Sequence, residues 1–128
     1  MKVHLDTNTL IRFFSKDDTH KALQVKKLLE SKNDLVISDV VFPELEYVLE
    51  AVPYSLSKHE VCALFRFLIS RSNITVSSSG KTAVQLFEKS NLDMADCIIV
   101  AHSMGESLAT FDQDLLKIKG ISDYFSSN

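Results

Sequence analysis

The sequence contains little glycine, proline or cysteine, and each shortage narrows the class of protein. Three Gly and two Pro interrupt 128 residues, so long structured segments should dominate over loops and linkers. The two cysteines, Cys62 and Cys97, form no CxxC pair. Because the chain shows no export signal, we expect them to be reduced thiols rather than part of a disulfide framework.

Long apolar runs are also missing. No segment approaches the roughly 20 apolar residues that a membrane-spanning helix needs. The N-terminal residues 1–6 are too short and too polar to resemble a signal peptide. We therefore expect a cytoplasmic protein with no membrane partner. Apolar residues make up 45% and charged residues 24% of the chain, which is typical of a globular protein, and we expect one domain over residues 1–128.

Short apolar strands alternate with helical patterns along the chain, which predicts an α/β domain with a parallel sheet covered by helices. Ser38 is predicted to cap the helix after the second strand, Ser57 and Glu60 form a capping box, and residues 77–80 are predicted to be a loop. The predicted strands cover residues 2–5, 35–37, 74–76 and 107–110, with a short final strand from residue 120. The predicted helices cover residues 10–14, 19–31, 57–71, 82–89 and 93–102, with a helix after the second strand and a short one at residues 115–116.

Four acidic residues fall where a parallel sheet places its ligands, outside the carboxyl ends of the strands. Asp6 directly follows the first strand, and Asp112 follows the fourth. Glu44 lies early in the helix after the second strand, and Asp96 lies in the first turn of the helix before the fourth. Each has a structural alternative, since Asp6 and Asp112 can cap helices and Glu44 can be a solvated helix residue. Together they indicate a carboxylate cluster.

Such a cluster needs a counter-charge, because neighbouring carboxylates raise each other's pKa. Carboxylates suit hard cations, so we expect Mg²⁺ or Mn²⁺, one or two ions per site, that activate a water for phosphodiester cleavage. The net charge of −3 does not exclude a nucleic-acid partner. Of the 17 acidic residues four would be metal ligands, which leaves 13 against 14 basic residues.

Four short motifs, in this order, resemble those of PIN-domain nucleases. They are VHLDTN at residues 3–8, SDVVFPEL at 38–45, DMADCIIVA at 93–101 and LATFD at 108–112. The resemblance, which rests on the order and spacing of these motifs, covers essentially the whole chain. The resemblance implies a PIN-like three-layer domain, in which a short central parallel β-sheet is flanked by helices.

A stand-alone PIN domain of this length resembles the VapC-type toxins of type II toxin–antitoxin pairs. That resemblance implies a metal-dependent endoribonuclease, often acting on tRNA, with a cognate antitoxin protein and commonly a homodimer. Carried over by position, the ligands and catalytic residues would be Asp6, Glu44, Asp96 and Asp112. Asp93, one helical turn from Asp96, can share the third role.

Polar and basic residues around these acids have expected roles as well. Asn8 and Thr110 would support the ligands through hydrogen bonds, although a helix cap and a strand end explain them equally well. Candidate RNA-contacting residues are Arg12, Lys16 and Lys81, each of which can instead be a solvated surface cation.

Two other functions fit part of the pattern. An aspartate-nucleophile phosphatase also places an Asp after its first strand, but it usually has a second Asp two residues on, where this chain has Asn8. A non-catalytic binding module on the PIN fold is the other alternative. Mutual repulsion among four acids would bring such a module no benefit, and carboxylate-dependent binding of Mn²⁺ separates it from the enzyme.

Overall fold

The computed structural model describes residues 1–126, and in that range the chain forms seven helices and five short strands. The alternation expected from the sequence is confirmed, and the fold is the α/β architecture of a short parallel sheet with helices. In chain order the elements are β1 (Lys2–His4), α1 (Thr7–Ser15), α2 (Thr19–Leu29), β2 (Asp34–Val36), α3 (Val41–Glu50), α4 (Lys58–Ser70), β3 (Ile74–Thr75), α5 (Ser78–Lys89), α6 (Met94–Ser103), β4 (Ser107–Leu108), α7 (Gln113–Leu116) and β5 (Ser122–Asp123).

The chain divides into two compact units. The N-terminal unit is Met1–Ser77, and the C-terminal unit begins at Ser78. The first contains β1 to β3 with α1 to α4, and the second contains α5 to α7 with β4 and β5. Over the 126 residues described, no helix combines the length and the apolar character that crossing a bilayer requires.

A three-stranded parallel sheet organises the N-terminal unit. Its strand order is β1-β2-β3, with Val3 opposite Leu35 and Leu35 opposite Ile74. Because all three strands are parallel, their carboxyl ends share one edge, from which the chain enters α1, α3 and the C-terminal unit. The sequence after each strand therefore decides which side chains lie along this edge.

The core of the N-terminal unit is built from the buried faces of its helices and the central strand. Leu35 on β2 is fully buried, as are Leu10 on α1, Leu45 on α3 and Leu68 on α4. Helices α1 and α3 contact each other, as do α3 and α4. This packing fixes the first turns of α1 and α3 at the carboxyl edge of the sheet.

Side-chain hydrogen bonds cap the N-termini of most of these helices, as the sequence predicts. The capping box is confirmed at α4, where the Glu60 N–H donates to Ser57 Oγ at 3.1 Å and the Ser57 N–H donates to Glu60 Oε1 at 3.1 Å. The prediction that Ser38 caps α3 is wrong. The N-cap position is Val40, and the first amides of the helix are satisfied by backbone instead: the Val41 N–H donates to the Ser38 carbonyl at 3.1 Å.

Helices α5 and α6 pack against each other in the C-terminal unit. The loop predicted at residues 77–80 is confirmed at Ser77 and wrong from Ser78, where α5 begins, and Gly80 is buried within that helix. Serine and glycine are weak helix formers, so tertiary packing has outweighed local propensity here.

Strands β4 and β5 form a separate parallel pair, with Ser107 opposite Ser122. The prediction that the fourth strand belongs to the main sheet is therefore wrong. The backbone groups of β4 pair with β5 instead, and the Tyr124 N–H donates to the Leu108 carbonyl at 3.0 Å.

Candidate active site

Two of the candidate acids lie at the carboxyl edge of the sheet in the N-terminal unit. Asp6 ends the connection from β1 and is the N-cap of α1, where its Oδ1 accepts from the Thr9 N–H at 2.8 Å. This bond, followed by one from the Thr9 side chain, holds the pKa of Asp6 below its usual value. The carboxylate is therefore ionised over most of the pH range and keeps lone pairs available for a cation.

Glu44 is joined to the same edge by a bond that links two distant parts of the chain. It lies exposed in the first turn of α3, and its Oε1 accepts from Thr7 Oγ1 at 2.6 Å. Thr7 is the first residue of α1 and the neighbour of Asp6, so the bond holds the second acid beside the start of the helix that the first acid caps. Sequence reasoning missed this role of Thr7, although the residue lies inside the VHLDTN motif.

A further carboxylate at this edge was also missed. Asp39 follows β2, is half-buried, and accepts from Ser77 Oγ at 2.7 Å through its Oδ1. Ser77 follows β3, so this bond links the ends of two neighbouring strands. The signal that singled out Asp6, an acid just beyond a strand, applies to Asp39 as well.

The other candidate acids lie in the C-terminal unit. Asp93 caps α6 by accepting from the Asp96 N–H at 2.8 Å. Asp112 follows β4 and caps α7, with its Oδ1 accepting from the Asp114 N–H at 2.9 Å. Thr110 supports this turn, because its Oγ1 accepts from the Asp112 N–H at 3.0 Å. The structural alternatives given for Asp6 and Asp112 thus describe bonds that these residues do make.

Asp96 is the acid whose environment most strongly disfavours its charge. It is half-buried in the first turn of α6, and its pKa is raised above the usual 3.8, first by burial and then by the negative charges of Asp93 and Asp112. The negative charges of Asp93 and Asp112 thus act on Asp96. A bound cation would relieve this repulsion, and carboxylate oxygens are the ligands that hard metal ions prefer, so the chemistry of these donors suits such an ion although their arrangement does not yet form a site.

The structure does not assemble these acids into a finished ligand set. Across residues 1–126, no group of three or more His, Cys, Asp or Glu side chains is arranged so that it could hold a metal ion. Several of the acids instead direct an oxygen towards the amides of their own helix, as the bonds of Asp6, Asp93 and Asp112 show.

The predicted RNA-contacting residues lie at different places. Arg12 is half-buried and, with Asn8 and Asp6, lines a cavity of about 270 Å³ between α1 and α2. Lys16 is the C-cap of α1, in the left-handed region at φ 56°, and lies roughly 15 Å along the helix axis from Asp6 at 1.5 Å per residue. Lys81 is exposed on the first turn of α5.

The N-terminal unit carries Asp6 and Glu44 at its sheet edge and the C-terminal unit carries further acids, which indicates an acid-rich α/β protein without specifying its reaction. The match to a family is more specific. The model of the PIN domain family matches residues 3–121, so the chain belongs to that family. PIN domains are generally nucleases that use divalent metals, and membership indicates a nuclease-type function with a nucleic-acid substrate. No curated protein and no solved structure matched the chain.

The raised pKa of Asp96 predicts how pH changes stability. A raised folded-state pKa means that the native state holds the proton more tightly, so between 3.8 and the folded pKa the protein loses stability as pH rises. For the metal-free protein, Asp96→Asn should therefore gain stability relative to the wild type between about pH 3 and about pH 7. Urea unfolding in EDTA at both pH values measures this difference.

Asp114→Asn is the matched control. Asp114 is an exposed acid in the first turn of α7 with Lys117 at 3.8 Å, and removing its charge should leave the pH dependence nearly unchanged. A wild type and an Asp96→Asn variant whose stabilities run in parallel over this pH range would show that Asp96 is not under the repulsion described.

Proposed function

We propose that the chain is a metal-dependent endoribonuclease, one domain over residues 1–128, and the toxin of a type II toxin–antitoxin pair. The observation that carries the proposal is the family match over residues 3–121, which runs through both compact units. The family indicates a nuclease.

In this proposal the acids of both units act on one substrate. Asp6 and Glu44 from the N-terminal unit and Asp96 and Asp112 from the C-terminal unit hold one or two Mg²⁺ or Mn²⁺ ions, and Asp93 can share the role of Asp96. The negative charges of Asp93 and Asp112, which add to burial in raising the pKa of Asp96, support this, because a cation would relieve their repulsion. When bound, the ions activate a water and neutralise the charge that develops on the scissile phosphate.

Other residues of the chain position these acids. Thr7 keeps Glu44 in place through the 2.6 Å bond, and Thr110 keeps the backbone of Asp112 in place through its own bond. Asn8 is exposed in the first turn of α1, where its amide can orient a ligand or a water. Holding the acids rigidly favours catalysis, because the reaction rate falls steeply when catalytic groups are displaced from their productive positions.

The proposed substrate is RNA, with tRNA as the first candidate. Its phosphates would contact Arg12, Lys16 and Lys81. We place this reaction in the cytoplasm.

The proposed protein partners are a cognate antitoxin and a second copy of the chain. Exposed aromatic side chains support such contacts. Phe111 is 83% exposed and stacks on Phe125 at 4.6 Å, and Tyr124 packs against Phe125 edge-on. Aromatic residues are enriched in the buried centres of protein interfaces.

The test is cleavage of total RNA by the purified chain with Mg²⁺ or Mn²⁺, beside an EDTA control and a Glu44→Gln variant. We expect discrete products that require metal and disappear in the variant, whose mapped ends identify the substrate. Single-stranded DNA and a small phosphate monoester are incubated in parallel.

Release of phosphate from the monoester, with RNA left intact, would instead establish an aspartate-nucleophile phosphatase. Folded, metal-loaded protein that turns over neither substrate would leave the non-catalytic binding module, which sedimentation with RNA and Mn²⁺ titration would then characterise.

A further inference from the structure

The N-terminal unit contains a small cavity whose lining carries the positive charges of Arg12 and Lys21 and the negative charge of Asp6. Its volume is about 270 Å³, and it lies between the first turns of α1 and the middle of α2. Its lining consists of Asp6, Asn8, Thr9, Arg12, Lys21, Gln24 and Val25. Only Val25 of these is apolar, so the cavity is built for a polar ligand rather than for an apolar side chain.

Arg12 brings a buried hydrogen-bond donor to the residues that line this cavity. Its Nε has no hydrogen-bond partner among the residues that the structure describes, and the Nε of Arg71 is in the same situation elsewhere in the unit. Buried donors are nearly always paired, and a guanidinium offers only donors, so a group that pairs with Arg12 must be an acceptor. Beside a positive charge the favoured acceptor is an anionic oxygen.

The charge of Lys21 acts on the same region as that of Arg12. Asp18, the N-cap of α2, has its pKa lowered chiefly by the Lys21 amide and also by the positive charges of Lys21 and Arg12. The two cations are thus close enough to act on one carboxylate from two helices. Asp18 already accepts from the Lys21 N–H at 3.0 Å through its Oδ1, and it does not line the cavity.

We infer that this cavity binds a backbone phosphate of the nucleic acid next to the one that is cut, with Lys21 and Arg12 neutralising it. The inference rests on the proposed function, because Asp6 lines the cavity and would place the scissile phosphate at its rim. The neighbouring nucleotide then brings one phosphodiester into the cavity, and the amides of Asn8 and Gln24 contact its oxygens or its sugar.

Equilibrium binding of a fluorescein-labelled single-stranded RNA of about ten nucleotides tests the inference. Binding is measured with Mg²⁺ in a Glu44→Gln background, which removes a proposed ligand outside the cavity and so prevents cleavage. We expect Lys21→Ala to weaken binding about tenfold and to reduce the slope of log K against log salt by about 0.7, as one lost phosphate contact predicts. Lys21 is exposed and its side chain caps no helix, so the fold should not change.

Lys27→Ala is the matched control, because Lys27 is an exposed lysine of the same helix that does not line the cavity. It should change the affinity less than twofold, as expected for a distant surface charge in salt. Arg12→Lys keeps the charge and removes Nε. It should weaken binding while leaving the salt slope nearly unchanged. Equal effects of Lys21→Ala and Lys27→Ala would overturn the inference.

Titration with inorganic phosphate separates a free anion from a nucleic-acid backbone. We expect no saturable binding of phosphate at concentrations where the RNA saturates, and phosphate bound as tightly as RNA would overturn the assignment to a backbone. If the wild-type protein binds RNA in a Lys21-dependent way but never cleaves it, the proposed nuclease activity is refuted and the cavity remains an RNA-binding site. If both proteins cleave RNA and the KM of Lys21→Ala equals that of the wild type, only the inference that the cavity binds a phosphate is refuted.

Discussion

Asp6→Asn should abolish RNA cleavage while leaving the protein folded. The substitution removes the negative charge that would hold the metal, and we expect a loss of about a hundredfold or more, since even outer-shell partners of metal ligands are worth 10–100-fold. Asparagine is as good an N-cap as aspartate, so its side-chain oxygen can still accept from the Thr9 N–H. The free energy of unfolding should fall by no more than about 1 kcal/mol, the cost of losing a charge at a helix N-terminus.

The expected result separates two roles that one side chain performs. Asp6→Ala removes both the charge and the cap, so it should lose cleavage to the same extent and a further ~1 kcal/mol of stability. Initial rates on the mapped RNA substrate and urea unfolding curves of the three proteins measure the two effects independently.

Asp18→Asn is the control for this experiment. Asp18 begins α2 with the same geometry, accepting from an amide three residues on at 3.0 Å against 2.8 Å for Asp6. The same chemical change at that cap should leave kcat within about twofold, because Asp18 is not one of the proposed metal ligands, and the effect of its charge on Lys21 and Arg12 should fall on KM. If Asp6→Asn cleaves RNA as fast as Asp18→Asn does, Asp6 is a helix cap and nothing more.

Features that depend on a few neighbouring residues could be predicted from the sequence. The start of α4 follows from Ser57 and Glu60, three residues apart, whose reciprocal bonds need no other part of the chain. The sheet edge follows from the alternation of short strands and helices, which places Asp6 just after a strand. The interactions behind such local patterns involve only neighbouring residues, so the folded protein retains them.

Features that depend on partners far along the chain could not be predicted. The bond from Thr7 to Glu44 joins residues 37 positions apart, and the bond from Ser77 to Asp39 joins residues 38 apart. Nothing in the local sequence of Thr7 or Ser77 indicates either partner. These two bonds order the carboxyl edge of the sheet. The residues that hold the acids in place are therefore the ones that could not be predicted from the sequence.

Two predictions about local structure were wrong for different reasons. At residues 78–80, serine and glycine favour a loop by about 1 kcal/mol or less per residue, but the packing of α5 against α6 outweighs this preference and the helix begins at Ser78. At Ser38 the residue type suits a cap, but the chain makes a backbone turn first and α3 starts later. There the backbone bond from Val41 to Ser38 takes the place of a side-chain cap.

Phe42→Ala should destabilise the protein by about 3–5 kcal/mol, the largest effect on folding that we expect from one substitution. Phe42 is completely buried on α3 and meets the ring of Phe65 on α4 edge-on, with centroids 5.2 Å apart. Removing it loses this contact and leaves a cavity that Leu45 and the other packed side chains around it cannot fill without shifting.

Chemical unfolding followed by circular dichroism measures this loss, with Tyr47→Ala as the comparison. Tyr47 lies on the same helix but is 79% exposed, so its removal should change the free energy of unfolding by less than about 0.5 kcal/mol. Because Phe42 lies two residues before Glu44, the folded fraction of Phe42→Ala should also cleave more slowly than Tyr47→Ala. Equal stabilities of the two variants would mean that α3 is not anchored through Phe42, and the placement of Glu44 would then rest on its bond to Thr7 alone.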